Sequence, residues 1–319
     1  MENSSTSPPA YYVPEQSRKP ILASIALFLA VFGASTMLNE LSADAANRFG
    51  HWIFMGGLLL LVAILFNWFS TAIRENLEGM NSVQLKRSYV MGMAWFIFSE
   101  VMFFFIFFFA LFYVRFLAGP WLGGVRESTN ELLWQGFQFQ WPMLETPQQA
   151  VGGAQAQVPA ATSVFNGPHK HMSFPGWRGM FSWLPLWNTV ILLSSSLTVH
   201  VAHLGLKAGN RRQLGLWLGI TVLLAFAFLV LQYLEYHEAY AEYGLTLRSG
   251  IYGTTFFMLT GFHGFHVCLG AAMLLVMWLR ATMTGHFTPD DHFGFEAASW
   301  YWHFVDVVWL CLFLFVYIL

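Results

Sequence analysis

Charge is what this sequence has least of. Only 10% of its 319 residues are Asp, Glu, Lys or Arg, against about 25% in a soluble globular domain. The formal net charge is −2, so the basic footprint of a nucleic-acid binder is absent. Cysteine is scarce as well: Cys268 and Cys311 both lie in apolar runs, and no Cys-x-x-Cys spacing occurs. That excludes a disulfide framework and a thiolate metal cluster. The N-terminus, "MENSSTSPPAYYVPEQSRKP", lacks the basic, apolar and small-residue layout of a cleaved signal peptide. Pro8, Pro9, Pro14 and Pro20 make residues 1–20 read as a flexible, non-helical tail. No stretch alternates polar and apolar residues as a half-buried strand does.

What is abundant is apolar surface. Hydrophobic residues make up 56% of the chain, with 33 Phe and 14 Trp, more than a small water-soluble protein can bury. A helix needs about 20 apolar residues to cross the hydrocarbon core. Seven segments qualify: 21–38, 52–71, 88–116, 184–206, 213–237, 250–280 and 297–319. The third and sixth exceed the requirement and are expected to tilt or project. Because backbone polar groups in lipid must pair within their own segment, these are helices.

Lys and Arg set the direction. Arg18, Lys19, Arg74, Lys86, Arg87, Lys207, Arg211, Arg212 and Arg280 all fall on one side if the N-terminus is cytoplasmic. The opposite short loops hold Arg48 and Arg248 among Glu40, Asp44, Glu238 and Glu242. Positive residues collect on the cytoplasmic side, so the C-terminus is expected outside. Residues 117–183, rich in Gly, Pro, Gln and Ser ("TPQQAVGGAQAQVPAATS"), read as a long outer loop, partly disordered. Trp121, Trp134, Trp141, Trp177 and Trp183 are placed to anchor its ends at the interface, while His169 and His171 read as solvated.

Polar residues inside the spans carry the functional signal. In "FIFSEVMFFFIFFF" (96–109), ten of fourteen residues are Phe or Ile and the fifth is Glu100. It stands about twelve residues into its span, near the bilayer midplane, where an unpaired charge costs about 2.5–3.5 kcal/mol. Ile97, Phe103, Phe96 and Phe104 are its helical neighbours, and none can pair with it. Either another helix supplies a partner or the carboxyl is neutral. Two readings stay open: proton handling or a polar contact with a partner subunit, and a neutral carboxyl that only bonds a neighbouring helix.

In the last span Glu296, His303 and Asp306 share one face with Ser299. His263 and His266 lie one turn apart in "TGFHGFHV", and His200 and His203 follow Ser194, Ser195 and Ser196. The acids of "QYLEYHEAYAEY" are expected at the outer interface. His-x-x-His occurs twice, at 200/203 and 263/266, but the pairs sit at different depths and do not form the facing sets that haem or di-iron centres use. Structural hydrogen bonding is the expectation for these histidines, with no metal. On residues alone an independent proton or ion carrier stays in view, as does a histidine-dependent metalloenzyme.

Four motifs carry a family resemblance: "HFGFEAASWYWHFVDVVWL" (292–310), "TGFHGFHV" (260–267), "FIFSEVMFF" (96–104) and "YGTTFF" (252–257). Together they resemble subunit III of the haem-copper cytochrome c oxidases, from about residue 52 to the C-terminus with 117–180 left aside. Seven spans fit the cytochrome c oxidase type rather than its five-span relatives. The resemblance implies an all-α integral membrane protein in which a two-helix bundle (21–71) and a five-helix bundle (88–319) enclose a V-shaped lipid cleft, joined by a cytoplasmic loop (72–87). It implies an accessory subunit of an aa3-type oxidase in a bacterial inner (plasma) membrane, with its C-terminus periplasmic. Haem and copper are then held by partner subunits. Subunit I is the main contact and subunit II lies in the same complex, which oxidises cytochrome c, reduces oxygen and pumps protons. The implied role is support of proton uptake, active-site stability and lipid or oxygen access.

Carried onto this chain, Glu100 matches the family's buried glutamate, and Trp68, Arg74 and Glu75 in "WFSTAIRE" match a span-two end beside bound phospholipid. Phe69 and Ser70 depart from the family's Trp and Arg, and "GMNSVQLKR" replaces a His-rich stretch. Arg280 and His286 match the inner end of span six, and His292 opens the span-seven motif. His203, His263, His266, Glu296, His303 and Asp306 are expected in the bundle interior. The long outer loop is a candidate contact for subunit II, cytochrome c or another respiratory complex.

Overall fold

The computed structural model describes residues 16–43, 49–125, 130–132, 134–144, 147, 168, 170–247 and 249–319. Seven helices in it are long and apolar enough to cross a membrane, and no strand occurs among the described residues. In chain order the helices are α1 (Lys19–Ser42), α2 (Gly50–Leu77), α3 (Val83–Phe112), α4 (Leu184–Lys207), α5 (Arg211–Ala241), α6 (Gly250–Leu279) and α7 (Phe293–Leu312). Each covers one of the seven apolar segments expected from the sequence. The two long segments lengthen by wider π-type turns: α3 runs on through Tyr113–Ala118 and Trp121–Val125, and α6 through Arg280–Thr284. Expectations placed on residues 1–15, Asp44, Arg48, His169, Arg248 and most of the central Gly/Gln-rich stretch lie outside the described residues.

One boundary differs from the sequence reading. Lys19 and Pro20, assigned to the tail, begin α1, with the proline in its first turn. There the missing N–H is unpaired in any case and the fixed φ suits the helix, so the residue expected to break the helix opens it.

The chain divides into two compact units, 1–91 and 92–319, the division falling within α3. In the first unit α1 and α2 form a hairpin. Lipid tails are as apolar as Leu, so helices in a bilayer associate by close packing rather than by exclusion of water. The α1–α2 seam accordingly uses small residues: Ala26 and Ala30 are buried, and a methyl group added at Gly33 or Gly57 would collide with the backbone at Phe54 or Ala30. Both ends are tied. Lys19 Nζ donates to Thr71 Oγ1 at 2.5 Å, and the Glu40 carboxylate accepts from the free N–H groups of Phe49 and Gly50 at 3.0–3.1 Å. An acid at a helix N-terminus satisfies unpaired donors and complements the dipole. The large side chains, Phe28 and Phe66 among them, face outward.

The second unit packs α4 to α7 with the later part of α3. Its core is aromatic: Trp302, Trp309, Tyr301, Tyr252, Tyr317, Phe228 and Phe295 are fully buried. Phe104 of α3 packs against Phe304 of α7, and Phe103 against Phe262 of α6. α4 and α5 form a tight hairpin in which Asn210 caps α5 by accepting from the Gln213 N–H at 3.1 Å. Cys268 and Cys311 are both free.

Candidate functional site

The polar residues of the second unit pair across helices. α4 and α7 run antiparallel, and their contacts form a ladder. Trp309 Nε1 donates to Thr189 Oγ1 at 2.9 Å, Trp302 Nε1 donates to Ser195 Oγ at 2.9 Å, and His303 Nδ1 lies 2.8 Å from Ser196 Oγ. At the far end Glu296 Oε1 is 3.5 Å from His203 Nε2 and 3.3 Å from His292 Nε2. Within the stripe Ser299 and Asp306 face protein, whereas the Glu296 side chain is 29% exposed and that of His303, expected in the bundle interior, is 40% exposed. Asp306 is buried with its carboxylate 3.6 Å from His303 Nδ1. Ser299 is buried on the same face.

Glu100 finds its partner on α6. Its Oε2 lies 2.9 Å from His266 Nε2, and the other ring nitrogen, Nδ1, lies 2.7 Å from the Phe262 carbonyl oxygen. A carbonyl only accepts, so Nδ1 carries a hydrogen. The remaining contact then holds one proton in either of two forms: a protonated carboxyl donates to neutral Nε2, or an imidazolium donates to a carboxylate. Both forms have zero net charge, the condition under which an ionisable pair is tolerated in an apolar interior. Phe104 packs edge-on to the imidazole at 5.0 Å and Tyr301 stacks over it at 6.3 Å. The neighbouring His263 is fully buried, with Nε2 3.2 Å from the Val305 carbonyl and Trp309 against its ring at 5.1 Å.

The groups matched to lipid contact occupy helix ends. Arg74 is exposed, 3.9 Å from Glu78, with Glu75 beside it and Trp68 38% exposed on the same helix. Arg280 lays its guanidinium 4.6 Å over the Phe287 ring, while its Nε is buried without a hydrogen-bond partner. His286, close by in sequence, has an unpartnered buried Nδ1. His292 sits with His203 and Glu296: the three ligand-type atoms lie within 4.8 Å of one another. The two His-x-x-His pairs do not come together as a ligand group among the described residues.

One acid departs from its expected place. Glu235, in the segment expected at the outer interface, is completely buried. It accepts from Tyr317 Oη at 2.6 Å, Gln232 Nε2 at 3.3 Å and Asn188 Nδ2 at 3.4 Å. The signal that finds it is a second polar residue one turn earlier, Gln232, within an otherwise apolar run. Beyond the end of α5, Tyr243 donates to Glu238 Oε1 at 2.5 Å; burial, and then that carboxylate, pushes its hydroxyl up to about 12.

Seven apolar helices, with interhelical polar pairs buried in the second unit, define a polytopic α-helical membrane protein. Within that class the comparison is specific. The pattern of cytochrome c oxidase subunit III matches residues 9–153 and 181–319. The chain is 34% identical over 309 residues to cytochrome c oxidase subunit 3 of Carassius auratus, covering 97% of this chain and 96% of that protein. It is 37% identical over 262 residues to the Gallus gallus protein of the same name, covering 82% and 81%. The chain belongs to the cytochrome c oxidase subunit III family.

Proposed function

We propose that this chain serves an aa3-type oxidase as an accessory subunit with no haem or copper of its own, supporting proton uptake, active-site stability and lipid or oxygen access in a redox-active subunit I. Its relatives are named as oxidase subunits, which implies companion chains. Subunit I is the main contact, subunit II shares the assembly, and the outer loop meets cytochrome c or another respiratory complex. The location is a bacterial plasma membrane with the N-terminus cytoplasmic and the C-terminus periplasmic. Phospholipid headgroups bind at Trp68, Arg74 and Glu75, and at Arg280, His286 and His292. The exposed cation of Arg74 and the unpartnered Nε of Arg280 support that assignment, because phosphate is the matching anion.

The observation that carries the proton role is the Glu100–His266 contact, which holds one proton in a shell of Phe and Tyr rings. Such a pair can relocate its proton without leaving net charge in hydrocarbon. The discriminating variant is Glu100→Gln in the purified oxidase. A glutamine amide still donates to His266 Nε2, so packing and assembly persist, but it has no transferable proton. The expected outcome is normal recovery of the complex with slowed proton uptake or a shortened turnover lifetime. Unchanged values of both would assign Glu100 to interhelical hydrogen bonding alone.

A further inference from the structure

We propose that His203, His292 and Glu296 form a zinc-type divalent-metal site that ties the last turn of α4 to the first turn of α7. The geometry suits the ion. Glu296 Oε1 stands 3.5 Å from His203 Nε2 and 3.3 Å from His292 Nε2. Zinc bonds of about 2.0–2.1 Å in a tetrahedron separate neighbouring ligand atoms by about 3.3–3.4 Å. The three atoms lie at that spacing about the carboxylate oxygen and within 4.8 Å of one another.

The hydrogen-bond pattern points the same way. His292 Nδ1 is 3.1 Å from the Thr288 carbonyl oxygen. That oxygen only accepts, so Nδ1 carries a hydrogen and the Nε2 of a neutral ring presents a lone pair. This lone pair faces a carboxylate oxygen, which is unfavourable unless a cation or a proton lies between them. Nε2 of His203 and Nε2 of His292 are both buried without a hydrogen-bond partner. Two orphaned imidazole nitrogens converging on one carboxylate, with a backbone carbonyl orienting one ring, reproduce the second-shell arrangement of zinc-bound histidine. The Glu296 side chain is 29% exposed, so an ion can enter and solvent can supply a fourth ligand. Lys207 and His200, near His203 on α4, point outward as exposed residues. The positive charge of Lys207 is opposed by the Glu296 carboxylate. Such a clasp shares only His292 with the headgroup contacts proposed above, and zinc binding is read without reference to bound lipid.

Equilibrium dialysis of the purified oxidase complex against radioactive zinc tests it, with His292→Gln and Glu296→Gln as variants and His286→Gln as a nearby control. Wild type and the control should bind one equivalent per chain that each variant loses or binds at least about tenfold more weakly. Zinc-edge X-ray absorption of that equivalent should report two nitrogen ligands at about 2.0–2.1 Å and a carboxylate oxygen. Equal zinc in wild type and both variants would overturn the proposal. So would no binding by wild type, a readout independent of whether the variants fold, and the pairs would then be bridged by protons.

Discussion

At the scale of single residues, the acids of this chain differ in how much of their environment depends on them. Glu100 makes one interhelical contact, whereas Glu235 is the acceptor for three donors drawn from α4, α5 and the C-terminal end of the chain. Leaving a buried donor unpaired costs about 1–3 kcal/mol. Glu235→Leu therefore strands Tyr317, Gln232 and Asn188 together. It is expected to lower the thermal midpoint of the purified protein well below that of Glu100→Gln, which keeps a hydrogen bond to His266. Differential scanning calorimetry in the same detergent checks the ranking, and equal midpoints would remove the structural role assigned to Glu235. Glu100 stands out in the sequence because it interrupts a Phe run. Glu235 does not, because Tyr, His and two more acids follow it and resemble the polar end of a span. Gln232 is the one local sign of its burial; the other two donors, Asn188 and Tyr317, lie 47 and 82 residues away.

At the scale of helices, the α4–α7 ladder explains why polar residues persist in apolar spans. The sums of paired residue numbers, 498 for 189/309 and 497 for 195/302, stay nearly constant, as an antiparallel pair in register requires. Interhelical hydrogen bonds in membrane proteins are worth about 0.6 kcal/mol on average and about 1.7 at most. A double-mutant cycle on Trp309→Phe and Thr189→Val should return a coupling energy in that range from reversible unfolding in mixed micelles. Zero coupling would make the ladder incidental to packing. The spans themselves are legible from sequence because the bilayer demands long apolar runs. The polar face of α7 is legible because helical periodicity aligns 296, 299, 303 and 306. What that face meets is not legible. Periodicity says which residues share a side, while the choice of α4 as partner, and the joining of His203 to Glu296 and His292, arise from packing. The His-x-x-His spacings by themselves point only to hydrogen bonding. The grouping that suggests a ligand set comes from two distant segments instead.

At the scale of the whole molecule, the distribution of cations turns the proposed direction of insertion into a measurable expectation. The turns after α2, α4 and α6 lie beside Arg74, Lys86, Arg87, Lys207, Arg211, Arg212 and Arg280. The turns after α1 and α5 carry mainly acids, with Glu40 capping α2 and Glu238 held by Tyr243. Lys and Arg near span ends resist translocation, so the first set of turns is expected in the cytoplasm. Single cysteines introduced at Ser82 and Ala208, and at Trp177 and Glu242, make this measurable once Cys268 and Cys311 are replaced by serine. In right-side-out membrane vesicles a membrane-impermeant maleimide should label positions 177 and 242 and spare 82 and 208, with the pattern reversed in inverted vesicles. Labelling of Ser82→Cys from outside would invert the molecule. The headgroup contacts proposed for Arg74 and Arg280 would then move to the outer leaflet, and the proposed role of Glu100 and His266 in proton uptake from the cytoplasm would fall.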